Sequence, residues 1–95
     1  MRIAKVVGVA VATVKDRRLE GSKLLVVAEA DPSGAVTGQP FVALDGVGAG
    51  DGELVLVVEG SSARTAAGDA SRPVDAVIVG ILDSLCHDGQ MTYKK

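Results

Sequence analysis

Five valine-rich segments of this chain are apolar on both faces of an extended strand, which limits the possible folds more than any other feature. A half-solvated antiparallel strand should alternate apolar and polar residues. In the last segment, the residues on the two sides are Val74, Ala76, Ile78 and Leu82, and Val77, Val79, Ile81 and Leu85. A chain of 95 residues buries only about 60–68% of its unfolded surface. It cannot cover two apolar faces alone, so the pattern predicts a homo-oligomer.

The same segments determine the predicted fold. The chain contains 16 valines, and β-branched side chains favour strands. We predict strands at residues 2–14, 23–30, 41–45, 53–59 and 74–85. A helix of one or two turns is predicted over 60–68, where a serine can cap the first turn and Gly68 can end it. The fold class is therefore all-β: a small five-stranded OB-like barrel with one short helix between the fourth and fifth strands.

The domain organisation follows from these elements. Residues 1–85 are predicted to form a single β-barrel domain, and residues 86–95 a polar C-terminal tail. Residues 6–11 with Ala10-Val11-Ala12 look like a signal peptide and its cleavage site. The apolar stretch is only about half the usual length, so a first strand is the better interpretation. No apolar run reaches the roughly 18 residues needed to span a membrane, so no membrane partner is expected.

Charge and aromatic content weigh against nucleic-acid binding. Ten Lys and Arg residues face twelve Asp and Glu residues, which leaves a net charge of −2. An OB fold that binds single strands needs stacking aromatics and a basic groove. This chain has only Phe41 and Tyr93. We expect no nucleic-acid partner, although an OB-type single-stranded nucleic-acid-binding module remains the alternative function.

The glycine-rich run Gly46–Gly52 resembles a nucleotide-binding loop in composition alone. Such a loop needs a helix N-terminus after the glycines, so that N–H groups face the phosphate. Here residues 53–58 predict a strand, and no Lys-Ser or Lys-Thr pair closes the loop. We expect a loop that requires positive φ and close backbone approach.

The segment Gly60–Arg64 contains serines that a hydrolase could use. A serine nucleophile needs a base that a third group orients. The only histidine, His87, lies in the predicted tail. We therefore expect a helix cap, with Arg64 making a structural or intersubunit contact.

Cys86, His87 and Asp88 are three adjacent residues of metal-ligand types. Neighbouring side chains of an extended chain point in alternating directions, so one chain supplies at most a partial site. The single cysteine also excludes an intramolecular disulfide framework. The residues therefore predict no enzyme, no cofactor and no metal.

Several blocks of the sequence, taken in order, resemble the bacterial microcompartment vertex proteins, the ethanolamine-utilisation and carboxysome vertex family (EutN/CcmL type). The match runs from about Arg2 to Leu85, and the ordered set is more specific than any single block. The blocks are Val6-Val7-Gly8, Ala12-Thr13-Val14-Lys15, Leu19–Leu25, Asp45–Glu53, Gly60–Arg64 and Pro73–Asp83.

The resemblance implies a structural role in a bacterial microcompartment shell within the cytoplasm. Members of the family are OB-type barrels that assemble into homopentamers and cap the five-fold vertices of a polyhedral shell. The implied partners are further copies of the chain, hexamer-forming shell proteins and enclosed enzymes. We expect subunit or shell contacts at Gly46, Val47, Gly48, Ala49, Gly50, Gly60, Ser61, Ser62 and Arg64.

Overall fold

A computed structural model describes residues 1–13, 15–69 and 71–95. The chain forms seven described strands and one short α-helix, and a 3₁₀ turn at Arg17–Leu19 follows the first strand. The elements are β1 (Arg2–Ala10), β2 (Leu24–Ala30), β3 (Val36–Asp45), β4 (Leu54–Glu59), α1 (Gly60–Ala66), β5 (Ala76–Ile81), β6 (Ser84–His87) and β7 (Gln90–Lys94). Within the described ranges, no helix has the length and apolar character to cross a membrane.

Strands β1 to β5 close into a barrel in the order β1-β2-β3-β5-β4. All neighbouring pairs are antiparallel except β3 and β5, which run parallel where Leu44 faces Val77 and Asp45 faces Ile78. Helix α1 lies between β4 and β5 in the chain. The predicted five-stranded barrel with one helix in this position is therefore confirmed.

Small and branched side chains fill the barrel. The interior cluster consists of Ala4, Val6, Leu25, Val27, Ala43, Ala49, Val55, Val57, Ala76 and Ile78. A second buried cluster of Leu44, Ala63 and Val77 joins α1 to the barrel wall. Part of the second apolar face is therefore covered within the chain. The larger apolar side chains that remain uncovered, with exposures between 42% and 88%, are Val7, Val9, Val11, Val36, Val42, Val47, Met91 and Met1.

Three predicted strand boundaries were wrong. Strand β1 ends at Ala10 instead of residue 14, and Val14 lies outside the described residues. Strand β3 begins at Val36, because the turn after β2 already pairs Ala30 with Val36. The predicted fifth strand, 74–85, divides into β5 and β6, because the chain changes its partner: Leu82 still donates to the carbonyl of Leu54 beside β5 (2.9 Å), whereas Ser84 pairs with Lys94 of β7.

The predicted polar C-terminal tail, residues 86–95, lies in a β-hairpin that begins at Ser84. Strands β6 and β7 pair antiparallel, and Asp88 (φ 53°) and Gly89 (φ 74°) form the turn between them. Two consecutive residues with positive φ define the turn type that Asp-Gly favours in two-residue hairpins. The predicted domain boundary after residue 85 falls within β6.

An ion pair attaches this hairpin to the barrel at its base: the Lys95 ammonium pairs with the carboxylate of Glu53. The backbone N–H of Lys95 donates to the carbonyl of Asp83 (2.9 Å), which extends the β6–β7 ladder by one more pair. The ring of Tyr93 lies beside Gly34 in the turn after β2. The hairpin therefore leaves the barrel in a fixed direction, past the carboxyl end of β2.

Arg72 joins two surface loops at another side of the barrel. Its guanidinium donates to the carbonyls of Arg18 (3.0 Å) and Ala67 (3.1 Å), and it also contacts the Ser22 hydroxyl. Arg18 donates in turn to the carbonyl of Ser71 (2.6 Å). These contacts hold the β1–β2 connection against the segment that follows α1.

Candidate assembly surface

The Gly46–Gly50 loop is shaped by the residue that precedes it. One carboxylate oxygen of Asp45, Oδ1, accepts hydrogen bonds from the backbone N–H groups of Val47 (3.1 Å), Gly48 (3.0 Å) and Ala49 (3.2 Å). Asp and Asn side chains stabilise turns by this type of local bond. The end of β3 therefore determines the shape of the loop.

Two glycines of this loop are required by the backbone. A Cβ at Gly46 would lie 2.9 Å from the carbonyl oxygen of Ile78, a distance that excludes any side chain without a backbone shift. Gly48 has φ +80°, which L-residues with a Cβ adopt only at a cost. The prediction that this loop needs close backbone approach and positive φ is confirmed.

The loop residues divide into exposed and buried positions. Gly46, Val47 and Gly48 are exposed, and Val47 retains 42% of its surface. Ala49 is only 1% exposed and belongs to the barrel interior. Its methyl group therefore anchors the loop, while Val47 is the apolar side chain that the loop presents outward. At the end of the loop, the N–H of Gly50 donates to Oε1 of Glu53 (2.6 Å).

The second candidate segment, Gly60–Arg64, forms most of helix α1. Ala63 is fully buried and Arg64 is half-buried, whereas Ser61 and Ser62 are exposed. The predicted serine cap was wrong: Glu59 holds the N-cap position and makes no side-chain cap bond. The reason is that the helix starts directly after β4, so both serines already lie within its first turn.

Strand β5 and the residue before it bring the two segments close together. The N–H of Gly46 donates to the carbonyl of Ile78 (3.2 Å), and the N–H of Gly60 donates to the carbonyl of Asp75 (2.9 Å). Three residues of extended chain span about 10 Å. The loop and the helix therefore reach the barrel at neighbouring points. The Gly46–Gly50 loop and α1 can thus form one surface, the composite surface.

Arg64 is the cation of this surface. Within residues 1–13, 15–69 and 71–95, its guanidinium makes no hydrogen bond or ion pair, whereas Arg2 pairs with Glu29 and Glu59, and Arg18 with Asp16. The hydrogen bonds from Arg18 lower the pKa of Asp16 to about 2. Arg64 therefore has donors that remain available to a partner.

The catalytic and metal motifs do not assemble into a site in the part of the chain that the structure describes. Those residues contain no group of three His, Cys, Asp or Glu side chains suited to a metal. Cys86, His87 and Asp88 lie on the hairpin, all exposed, and Nε2 of His87 is 3.8 Å from the Asp88 carboxylate. Ser61 and Ser62 belong to α1, a separate element.

Sequence reasoning missed two features of the surface. The β6–β7 hairpin exposes Met91 by 59%, and the Asp88-Gly89 pair was the signal that could have indicated it. The contacts of Arg72 had no signal in the sequence, because they join segments about 50 residues apart.

Comparison with known proteins defines the class of this barrel. The model of the family described as "Ethanolamine utilisation protein EutN/carboxysome" matches residues 1–83. The Escherichia coli protein named "Bacterial microcompartment shell vertex protein EutN" is 45% identical over 95 residues, which is 100% of both chains. These likenesses define a structural shell vertex protein of bacterial microcompartments rather than an enzyme.

Two solved structures resemble the fold along nearly the whole chain. The structure of Gloeobacter violaceus CcmL has a TM-score of 0.92 and 43% identity, covering 100% of this chain and 98% of its own. The "GrpN pentameric microcompartment shell protein" from Rhodospirillum rubrum has a TM-score of 0.82 and 42% identity, covering 92% and 100%. The chain belongs to the EutN/CcmL family. The alternative of a nucleic-acid-binding module has no support among these relatives.

Proposed function

We propose that this chain forms homopentamers that cap the five-fold vertices of a bacterial microcompartment shell. The observation that carries this proposal is the likeness to pentameric GrpN, which extends over 92% of the chain at 42% identity. The role is structural: the subunit supplies a rigid shape and surfaces that are complementary to those of its neighbours, and it acts by binding them.

A ring of five needs two different surfaces on each subunit. Each copy contacts one neighbour through one surface and the other neighbour through the second, and the rotation between copies must close. The composite surface of the Gly46–Gly50 loop and α1 supports one of these contacts. It offers an exposed apolar side chain, Val47, and a half-buried cation, Arg64, for which the described residues supply no ion-pair partner. Exposed backbone at Gly46 and Gly48 permits close approach of a neighbour.

The further partners follow from the same role. A capped vertex needs surrounding facets, so we propose that the pentamer contacts hexamer-forming shell proteins at its rim. Enzymes enclosed by such a shell are the remaining proposed partners. Ala49 is buried in the barrel interior and leaves the set of candidate contacts. The remaining candidate subunit or shell contacts are Gly46, Val47, Gly48, Gly50, Gly60, Ser61, Ser62 and Arg64.

Native mass spectrometry tests the assembly directly. Five copies of the 9.6 kDa chain have a mass of about 48 kDa, separate from the masses of four or six copies. We expect the wild-type protein to be a pentamer and Arg64→Ala to dissociate at roughly tenfold higher protein concentration, since one charge-assisted contact contributes about 1.5 kcal/mol or more.

The matched control is Arg17→Ala, which removes the same charge from an exposed residue in the 3₁₀ turn. The Arg17 variant should assemble as the wild type does. A monomeric wild-type protein would contradict the pentamer, and an Arg64 variant that dissociates like the control would exclude Arg64 from the interface.

A further inference from the structure

The β6–β7 hairpin presents an apolar face that its own barrel does not cover. Cys86 and Met91 stand directly opposite each other across the two strands, so their side chains share one face. Both are exposed, Met91 by 59%. A two-stranded hairpin is marginally stable in water without a surface to pack on. The tip of this hairpin therefore lacks a packing partner in the single chain.

An open groove of complementary character lies at the end of β1. It has a volume of about 450 Å³, and the residues that line it include Val9, Val11, Lys15, Lys23 and Leu24. Val9 is 61% exposed and Val11 is 88% exposed. The groove thus combines uncovered valines with two lysine side chains.

The hairpin and the groove lie at opposite ends of β2. Tyr93 of the hairpin lies beside Gly34, beyond the carboxyl end of β2, whereas Leu24 at the amino end of β2 lines the groove. The seven residues of β2 span about 20 Å, and the molecule is 45 Å long and 23 by 21 Å across. A hairpin with strands of four and five residues, attached beyond the far end of β2, cannot fill the groove of its own chain.

We propose that the hairpin of one copy seats in the β1 groove of the next copy. Met91 and Cys86 then cover Val9 and Val11, and the exposed carboxylate of Asp88 at the hairpin tip meets the two groove lysines. The occupant is a second copy of this chain, because its hairpin brings an exposed apolar pair and an exposed carboxylate to a groove lined by exposed valines and two lysines. This contact deepens the proposed pentamer, on which it rests, since it is head-to-tail and each subunit supplies both halves.

Disulfide trapping tests this contact in the assembled protein. The chain has one cysteine, Cys86, on the docking face, so Val11→Cys adds a second thiol in the groove without disturbing a buried residue. A disulfide needs Cα atoms within about 7 Å. After mild oxidation with diamide, non-reducing gels of Val11→Cys should show covalent ladders up to five chains, whereas the wild type with one thiol can form at most dimers.

Matched variants separate this contact from incidental cross-linking. Val42→Cys places the second thiol on another exposed valine, in β3 and outside the groove, and should give no species beyond the dimer. Val9→Cys provides a second groove position, and Val11→Cys with Cys86→Ser should lose the ladder.

The outcomes distinguish this inference from the proposed function. Ladders from both groove variants, absent from Val42→Cys, support the docked hairpin. If native mass spectrometry shows a pentamer but neither groove variant forms trimers or larger species, the hairpin does not dock there, while the pentamer stands. If the wild type is monomeric, the proposed function itself fails and the docking with it.

Discussion

At the scale of single residues, the barrel depends on close backbone contacts at the end of β3. The Asp45 carboxylate accepts three backbone N–H groups of the following loop, and the N–H of Gly46 reaches the carbonyl of Ile78 on β5. Only two residue pairs join β3 to β5. The loop therefore adds a backbone hydrogen bond to the β3–β5 pairing, which is the shortest in the barrel. Gly46 cannot be replaced by a residue with a side chain unless the backbone shifts.

The substitution Gly46→Ala tests how far the close contact at Gly46 supports the β3–β5 pairing. The new Cβ would lie 2.9 Å from the Ile78 carbonyl oxygen, so the backbone must shift and strain the parallel pairing. We expect the free energy of unfolding to fall by about 1–3 kcal/mol, as for other overpacked positions. Urea unfolding at one fixed protein concentration measures this change.

The control for this variant is Gly8→Ala in β1. Its Cβ would meet Val26 at 3.6 Å, an ordinary contact, so stability should be nearly unchanged. An equal fall in the free energy of unfolding for the two variants would show that the close approach at Gly46 causes no additional destabilisation.

The sequence shows the need for glycine in this loop but not its cause. A dense run of glycines followed by a strand predicts positive φ and close approach, and Gly48 and Gly46 respectively have these properties. The burial of Ala49 could not be foreseen, because a lone alanine among glycines carries no periodicity that separates inside from outside.

At the scale of elements, side-chain contacts between connections hold the barrel's surface segments in place. Arg72 bonds the β1–β2 connection to the segment after α1, and Lys95 bonds the hairpin base to Glu53 before β4. Both residues act between segments far apart in the chain. Their loss should therefore affect the attachment of elements more than the elements themselves.

The variant Arg72→Ala removes three hydrogen bonds from one guanidinium. Two of its acceptors are backbone carbonyls of half-buried or exposed loops, which water can partly satisfy. We expect the free energy of unfolding to fall by about 2 kcal/mol, within the range for hydrogen bonds to charged groups. Thermal unfolding monitored by circular dichroism measures it, with Arg17→Ala as a charge-matched control; a change no larger than the control's would contradict the role.

The hairpin base should detach in acid. A hydrogen bond from Lys95, and then one from the Gly50 N–H, lowers the pKa of Glu53 from 4.5, and the same pair raises the pKa of Lys95 from 10.5. A lowered carboxyl pKa means that the pair stabilises the fold fully above pH 4.5 and loses this effect as the pH falls through the lowered value. On the alkaline side, the contribution is complete below pH 10.5 and is lost as the pH rises through the raised value.

Intrinsic fluorescence reports this transition. The chain has one tyrosine, Tyr93, at the hairpin base, and no tryptophan. We expect wild-type tyrosine emission to change as the pH falls below 4.5 and Glu53→Gln to show no transition in that range. Asp51→Asn, a neighbouring exposed carboxyl change, is the control. A Glu53→Gln profile that matches the wild type would assign the transition to other groups.

The elements that the sequence predicted are those with strong local patterns. The barrel strands follow from short apolar segments rich in valine, and α1 follows from the alanine-rich run that ends at a glycine. The hairpin was missed because its strands are short and polar, and their pairing depends on the Asp88-Gly89 turn rather than on hydrophobic periodicity. The Arg72 contacts join residues distant in the sequence, which no local pattern can reveal.

At the scale of the whole molecule, two features account for strands that are apolar on both faces: cover by another element of the same chain, and surface left for contact with neighbouring copies. Helix α1 covers Leu44 and Val77 on the outside of the barrel, so part of the second face is internal to the chain. Val7, Val9, Val11, Val42 and Val47 remain exposed, which leaves apolar surface for neighbours. The apolar surface available for contact with neighbouring copies is therefore smaller than the strands with two apolar faces suggested.

The closed barrel also limits aggregation by strand addition between copies of the chain. An open sheet exposes unpaired backbone at its edges, where other chains can add strand by strand into amyloid-like aggregates. The five barrel strands pair in a closed ring, so the unpaired strand edges in the described ranges are confined to the stretches of β1 and β3 beyond their ladders with β4 and β5 and to the hairpin. That hairpin has strands of four and five residues, a bulge between Leu85 and Cys86, and lysines at its end. These features disfavour continued strand addition at the hairpin. Copies of the chain that lie close together are therefore less prone to form fibrils through it.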